Sequence, residues 1–392
     1  MSHMIRKLIS SGVFTLSLIL TGASYAAPPT FQSAAKQAIL IDFDTGAVLY
    51  AKYANTPMFP ASMTKIMTSI MVFDELHAGR LELDSTFRVS ENAWRKGGSK
   101  MFVHVKDEIK IEDLLRGIIV QSGNDASIVV AEGIAGSEEA FAVQMTERAR
   151  EIGLTRTVFR NATGWPDPEH VTSAEDLAKL ANFLIREYPD FYSYYSEKEF
   201  TYGKSLGGKP IIQGNRNPLL YKDMGADGLK TGHTKASGFG LTASVIRGSR
   251  RLVMVINGLE SVRARSSESE RLINWGYKVF DNYPLFQAGE TVGNAEVWLG
   301  DDGTVPLVIE DELTITIPKS ARRNMKVKII YESPIPAPFK AGIEVARLEV
   351  TAPGITPIIR PLKTSVSVDQ LAFLGRIKSA INFIIFGASS DS

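Results

Sequence analysis

Between Pro60 and Leu76 apolar side chains recur at Met63, Ile66, Met67, Ile70 and Met71, and Val72 and Phe73 widen the stripe until most of its circumference is apolar. That spacing predicts a helix buried inside a domain. Ahead of it, Ala38 to Tyr50 reads as two strands around the turn Asp44-Thr45-Gly46, and a short strand is expected near Phe87 to Val89, followed by Ser90 as a helix N-cap. The next stretch is mostly helical. Ile111–Gln121 and Ala126–Ile134 are apolar segments joined by the loop-forming run Ser122-Gly123-Asn124-Asp125, and Ser137–Leu154 and Ser173–Arg186 carry acidic first turns behind serine caps. Asn161 to His170 lies between them as a loop. From Phe200 the period becomes that of strands, at Phe200–Tyr202, Lys209–Gln213, Gly228–Thr231, Gly240–Ile246 and Leu252–Asn257, before Ser267–Phe280 returns to helix. Strands at both ends of a helical middle predict an α+β domain, one antiparallel sheet built from the chain's two extremes with helices packed on it. Pro284 marks the expected boundary. Beyond it, Val297–Ile359 alternates apolar and polar residues between Gly and Pro breaks, the pattern of a small all-β domain.

The two ends read differently. Arg6 and Lys7, an apolar run from Leu8 to Leu20 and small residues ending at Ser24-Tyr25-Ala26 form an export signal with cleavage expected after Ala26. Ala23 stands where a lipoprotein would need its cysteine, and Met1-Ser2-His3 reads as a cloning remnant. From Val368 to Phe386, Leu371, Leu374, Ile377, Ile381, Ile384 and Ile385 share one helical face flanked by Arg376 and Lys378, which predicts an in-plane membrane anchor. Composition narrows the classes further. With 392 residues, 44% of them hydrophobic, the chain can build two or three domains, and a net charge of +1 gives no field for nucleic acid. There is no cysteine, and the five histidines have no metal-binding spacing. Neither a cofactor nor a metal is expected.

The chemistry starts in the buried helix. Ser62 and Lys65 are three apart, side by side on its first turn, and a lysine can take a serine's proton only if burial or another cation lowers its pKa. One Ser-x-x-Lys proves little, since Ser33–Lys36 repeats it. The order Ser62-Met-Thr-Lys65, Ser122-Gly-Asn124 and Lys230-Thr-Gly232 is far more specific. With these three motifs the chain resembles the serine penicillin-recognising enzymes. Gly123 in the second motif, His233 after the third, and the β-rich tail with its amphipathic end make it similar to the low-molecular-mass penicillin-binding proteins, the serine D-alanyl-D-alanine carboxypeptidases, from about Ala34 onward.

The resemblance implies a penicillin-binding (serine β-lactamase-like) domain over 27–283 after the signal 1–26, a small β-sandwich-like domain over 284–365, and an amphipathic anchor helix and tail over 366–392. It implies that Ser62 attacks the carbonyl between two D-alanines while Lys65, kept neutral by burial and by Lys230, accepts its proton. Ser122 would relay that proton to the leaving amine, and Asn124 would hold Lys65 and the substrate backbone in register. Lys230 and Thr231 would bind the substrate carboxylate, and Gly232 would let the strand lie against the substrate. The backbone N–H groups of Ser62 and His233 would hold the oxyanion. Arg216 and Arg265 could add the charge that demands a free terminal carboxylate. The implied partners are the peptidoglycan stem peptide, β-lactams as covalent inhibitors and the outer face of the inner membrane. A β-lactamase or an endopeptidase could use the same residues, although no Glu-x-x-Leu-Asn base lies between Ser122 and Lys230. A catalytically silent cell-wall scaffold is the alternative of another class.

Overall fold

The computed structural model describes residues 31–205, 207–372 and 375. The expected export signal lies outside them, as does most of the expected C-terminal helix. Strand β1 (Gln37–Asp42) turns through Gly46, at φ +70°, into β2 (Val48–Lys52). A single 3-10 turn, Ala61–Thr64, then feeds helix α1 (Lys65–His77), so the expected helix begins as a tighter coil and Ser62 sits in that coil. Helix α2 (Asn124–Ala135) follows the Ser122-Gly123 corner. Strands β3 (Ala226–Thr234), β4 (Gly238–Arg247) and β5 (Arg250–Leu259) come next, and helix α3 (Val262–Val279) begins five residues earlier than the pattern predicted because Ser261 caps it, accepting from the Ala264 N–H.

The five strands form one antiparallel sheet in the order β2-β1-β5-β4-β3. Pairing of β1 with β5, Ile39 opposite Val255, joins the two ends of the domain as the alternating pattern required. One face of the sheet carries the α1 core, in which Phe73 stacks on Phe191 at 5.0 Å, and the other face is covered by α3 through Leu272 and Ile273. The strands Glu199–Lys204 and Pro210–Gly214 stand apart as a hairpin of their own, outside the main sheet. Downstream, Phe280–Phe286, which contains Pro284, pairs with Leu313–Pro318, and six further strands form a second sheet. The amphipathic run cannot begin at Val368. That residue is fully buried and bridges Phe339 in extended form, and Gln370 bridges Gly300, because Val368 fills the core of the β-rich part. Among the described residues no helix is long and apolar enough to cross a membrane.

Candidate active site

Ser62 is presented by a strained entry to α1. Ala61 has φ +48°, and Ser122, the first residue of the second motif, has φ +62°, so both motif serines lie at corners that L-residues seldom adopt. Lys65 is fully buried, and its Nζ has three neighbours: Ser62 Oγ at 3.3 Å, Asn124 Oδ1 at 2.8 Å and the Thr163 carbonyl at 2.6 Å. A neutral amine has two N–H donors and one lone pair. The two short contacts use the donors, and the lone pair is left for the Ser62 hydroxyl. Burial pulls the Lys65 pKa down to about 7, assisted by Arg216 and Lys96 and opposed by Asp125 and Glu138. Arg216 adds to the effect of burial on Lys65, and Lys230 interacts with it: its own pKa is pushed well below the usual lysine range, by burial first and then by Lys65, Arg216 and Arg265.

Asn124 is held from both sides of its amide. Its Nδ2 donates to the Gly97 carbonyl at 2.8 Å and its backbone N–H to the Ser99 carbonyl at 2.7 Å. Ser122 is buried, and among the described residues its Oγ has no hydrogen-bond partner. Gly232 faces inward. A Cβ there would meet the Pro60 carbonyl oxygen at 2.7 Å and Met63 at 3.2 Å, so this glycine lets β3 lie against the start of α1 rather than against the cleft. Thr231 is buried beside Lys230, and exposed His233 stacks on Phe239 at 3.8 Å with the Arg265 guanidinium 5.9 Å over the same ring.

Arg265 is 5% exposed, its Nε lacks a partner among the described residues, and its Nη2 donates to the Arg216 carbonyl at 3.2 Å. Burial, then Arg216, lowers it to about 10. Arg216 donates to Ser99 Oγ at 2.7 Å. Among the described residues Lys230, Arg216 and Arg265 thus form a cation cluster without a carboxylate in it, an arrangement that favours an incoming anion.

Sequence reasoning passed over several groups. The Asn161–Trp165 loop, given no role, wraps the entry of α1: Thr163 accepts from Lys65, the Ala162 carbonyl from Thr68 at 2.7 Å, and Asn161 Oδ1 from the Thr163, Gly164 and Trp165 N–H groups. Gly164, at φ +78°, allows the approach, since a Cβ there would meet the Ala61 carbonyl oxygen at 1.8 Å. Asp125 is buried and accepts from the N–H groups of Met101, Phe102 and Val103, fixing the loop that holds Asn124. The residues from 23 to 261 match the family model of D-alanyl-D-alanine carboxypeptidases, and 280–370 match that of the penicillin-binding protein 5 C-terminal domain. The chain belongs to the D-alanyl-D-alanine carboxypeptidase family. Among members of that family it is 34% identical to the D-alanyl-D-alanine carboxypeptidase DacC of Escherichia coli, over 96% of this chain and 95% of that one. Penicillin-binding protein 5 from Haemophilus influenzae superposes with a TM-score of 0.77 at 33% identity, covering 87% of this chain and 99% of that one. The carboxypeptidase DacD from Francisella tularensis superposes with 0.79 at 28% identity, covering 88% and 96%.

Proposed function

We propose that this chain is a serine D,D-carboxypeptidase that removes the terminal D-alanine from peptidoglycan pentapeptide stems, and that β-lactams acylate the same serine. The observation that carries this reading is the neutral-prone Lys65 nested against Ser62 beside a cation cluster that has no carboxylate partner among the described residues. The terminal carboxylate docks on Lys230, Thr231, Arg216 and Arg265. Ser62 Oγ attacks the scissile carbonyl and its proton passes to Lys65. The developing oxyanion is held by the N–H groups of Ser62 and His233. As the C–N bond breaks, the proton passes through Ser122 to the leaving amine, and D-alanine departs. Water then attacks the Ser62 ester, its proton goes to Lys65 and on to Ser62 Oγ, and the shortened stem is released. A cross-link joins D-alanine to a side-chain amine rather than to a terminal D-alanine, so the carboxylate-favouring cation cluster leans toward a carboxypeptidase over an endopeptidase.

The enzyme works outside the cytoplasm, exported by the segment 1–26 and held at the outer face of the inner membrane by the amphipathic run after Leu371. Two measurements test the reaction and the anchor. The parent should release D-alanine from a peptide ending in D-alanyl-D-alanine, Ser62→Ala should not, and the parent's penicilloyl adduct should persist for minutes in intact-mass spectra. A folded but silent parent would sink the reaction, and rapid loss of the adduct would favour a β-lactamase. Mature protein should sediment with anionic lipid vesicles and a chain ending at Gln370 should not; equal sedimentation would remove the anchor.

A further inference from the structure

A cavity of about 760 Å³ lies away from the reaction, between the catalytic sheet and the β-rich C-terminal part. Its walls include three unbroken runs of chain, 45–50, 314–316 and 354–360. Successive residues of a strand point to opposite faces, so a face lends a cavity every second residue and only an edge lends consecutive ones. Strand edges therefore bound this space. Among the described residues β2 pairs only with β1, and Leu313–Pro318 only with Phe280–Phe286, so two unpaired edges meet at one cavity. Thr45 Oγ1 and Thr316 Oγ1, 2.5 Å apart, join the two walls at one point. Free edges are usually guarded by charge, proline or a bulge. Val48-Leu49-Tyr50 has only the bulge at Leu49, and Val48 is 58% exposed.

The side chains around these edges add an aromatic floor and one charge. Tyr50 meets Phe31 at 5.4 Å and Trp275 at 6.0 Å, both edge-on, and Phe31 lies 5.5 Å from Trp275. Arg360 is the charge. It stands opposite buried Leu348 in the register of the second sheet, hence on the inner face, and it lines the cavity. Its Nη1 donates to the Ile359 carbonyl at 2.9 Å, and among the described residues no carboxylate pairs with it or lines the space. Arg271, 5.0 Å over the Phe31 ring, is by contrast paired with Glu268. The chain's own ends suit the place poorly. On the export reading the segment before Phe31 is Ala27-Pro28-Pro29-Thr30, whose prolines have no N–H for a sheet edge and whose terminal ammonium would bring a second cation to Arg360. The run after Leu371 carries Arg376 and Lys378, again of the wrong sign.

We propose that this cavity is a docking slot for an extended segment of a partner protein, which adds to β2 as a further strand and sets a carboxylate on Arg360. An aromatic or β-branched side chain of that segment lies on the floor of Phe31, Tyr50 and Trp275. The slot contains none of the motif residues, so the proposal stands apart from the carboxypeptidase reading. Three residues of β2 span roughly 10 Å, and a short peptide is therefore a sufficient probe. Random heptapeptides displayed on phage are selected on the mature chain, and the enriched sequences are made as free peptides. They should carry an Asp or Glu among alternating β-branched or aromatic residues, and their affinity should fall about tenfold in Arg360→Glu, an exposed position, as attraction turns to repulsion. Methylating alternate backbone nitrogens of such a peptide should cost about tenfold in one set of positions and little in the other, because only every second N–H of an added strand faces the edge it joins. Bound peptide should also slow amide exchange in β2. Peptides that bind Arg360→Glu as tightly as the parent, tolerate methylation at every nitrogen or leave exchange in β2 unchanged would overturn the slot, and so would a selection that enriches nothing. Oligomers of N-acetylglucosamine that protect β2 where no peptide does would make it a saccharide site and overturn the proposal as well.

Discussion

A lysine amine acts as a base only in the molecules where it is unprotonated, so the environment of Lys65 sets the pH range of the enzyme. Burial holds it at about 7, and below that value each unit of pH should cost about tenfold in kcat/KM, giving an ascending limb with an apparent pKa near 7. Lys65→Arg keeps a cation that cannot deprotonate, and should lose about 10² to 10⁴ in the rate of penicillin acylation, measured by stopped-flow. A limb centred near pH 10, or an Arg variant that still acylates, would contradict a Lys65 base. His170 acts in the same direction as Lys65 on the acid side, but through stability rather than activity. Its Nε2 bonds Thr64 Oγ1 at 2.9 Å, its Nδ1 accepts from the Arg160 N–H at 3.1 Å, and burial lowers it to about 4. The unfolded chain binds this proton at about 6.5. Its contribution is therefore whole above pH 6.5 and is lost progressively as pH falls toward 4, by roughly 3 kcal/mol in all. Urea unfolding should show the parent losing about 2 kcal/mol more than His170→Gln between pH 7 and 5.

At the scale of elements, the site is a junction between the entry of α1, the corner before α2 and the edge strand β3, and each junction is pinned by buried backbone contacts. Asp125 is the pin between α2 and the loop at Met101–Val103, where it accepts from three successive N–H groups while its Oδ1 also takes the Ala126 N–H at 2.9 Å. Asp125→Ala orphans those donors and should destabilise the protein by about 2 to 4 kcal/mol. The same loop supplies the Gly97 and Ser99 carbonyls that fix Asn124, so acylation should slow more than unfolding explains; full activity in the folded fraction would show that the loop does not position Asn124. These pins also divide what could be read in the sequence from what could not. The strands, the caps at Ser90, Ser137 and Ser173, and the three motifs were legible because each depends on side-chain type at short spacing. Thr163 was not, since it works through a carbonyl that any residue could supply. Asp125 was not, because a carboxylate beside Asn124 resembles any loop acid until its three donors, more than twenty residues earlier, fold against it. The separate hairpin Glu199–Lys204 with Pro210–Gly214 was visible as strands and misread only in its sheet, because strand alternation does not say which edge a strand joins.

Across the whole molecule, a part-buried polar network ties the catalytic sheet to the β-rich C-terminal part. Asp42, at the end of β1 and fully buried, accepts from Arg250 Nε at 2.8 Å and from Asn282 Nδ2 at 3.2 Å. Arg250 also donates to the Phe280 carbonyl at 2.7 Å, Thr316 donates to Asn282 Oδ1 at 2.8 Å, and Thr316 Oγ1 meets Thr45 Oγ1 at 2.5 Å. Asp42, Thr45, Arg250 and Phe280 come from strand ends or a turn, while Asn282 and Thr316 face each other within the paired strands Phe280–Phe286 and Leu313–Pro318, so loss of the Asp42 link should leave each core intact and loosen the connection between them. Asp42→Ala strands Arg250, a guanidinium 11% exposed, without its carboxylate, and one broken partner of a buried pair costs about 3 to 5 kcal/mol. That cost falls at the junction. The parent should therefore unfold in one calorimetric transition and the variant in two, the earlier belonging to the C-terminal part, which relies on the junction to cover the strand Phe280–Phe286. Protease should cut the variant near that strand and release a fragment that still forms the penicillin adduct. A variant that melts in one transition at lower temperature would instead make the network part of a single cooperative core, with the two sheets folding together.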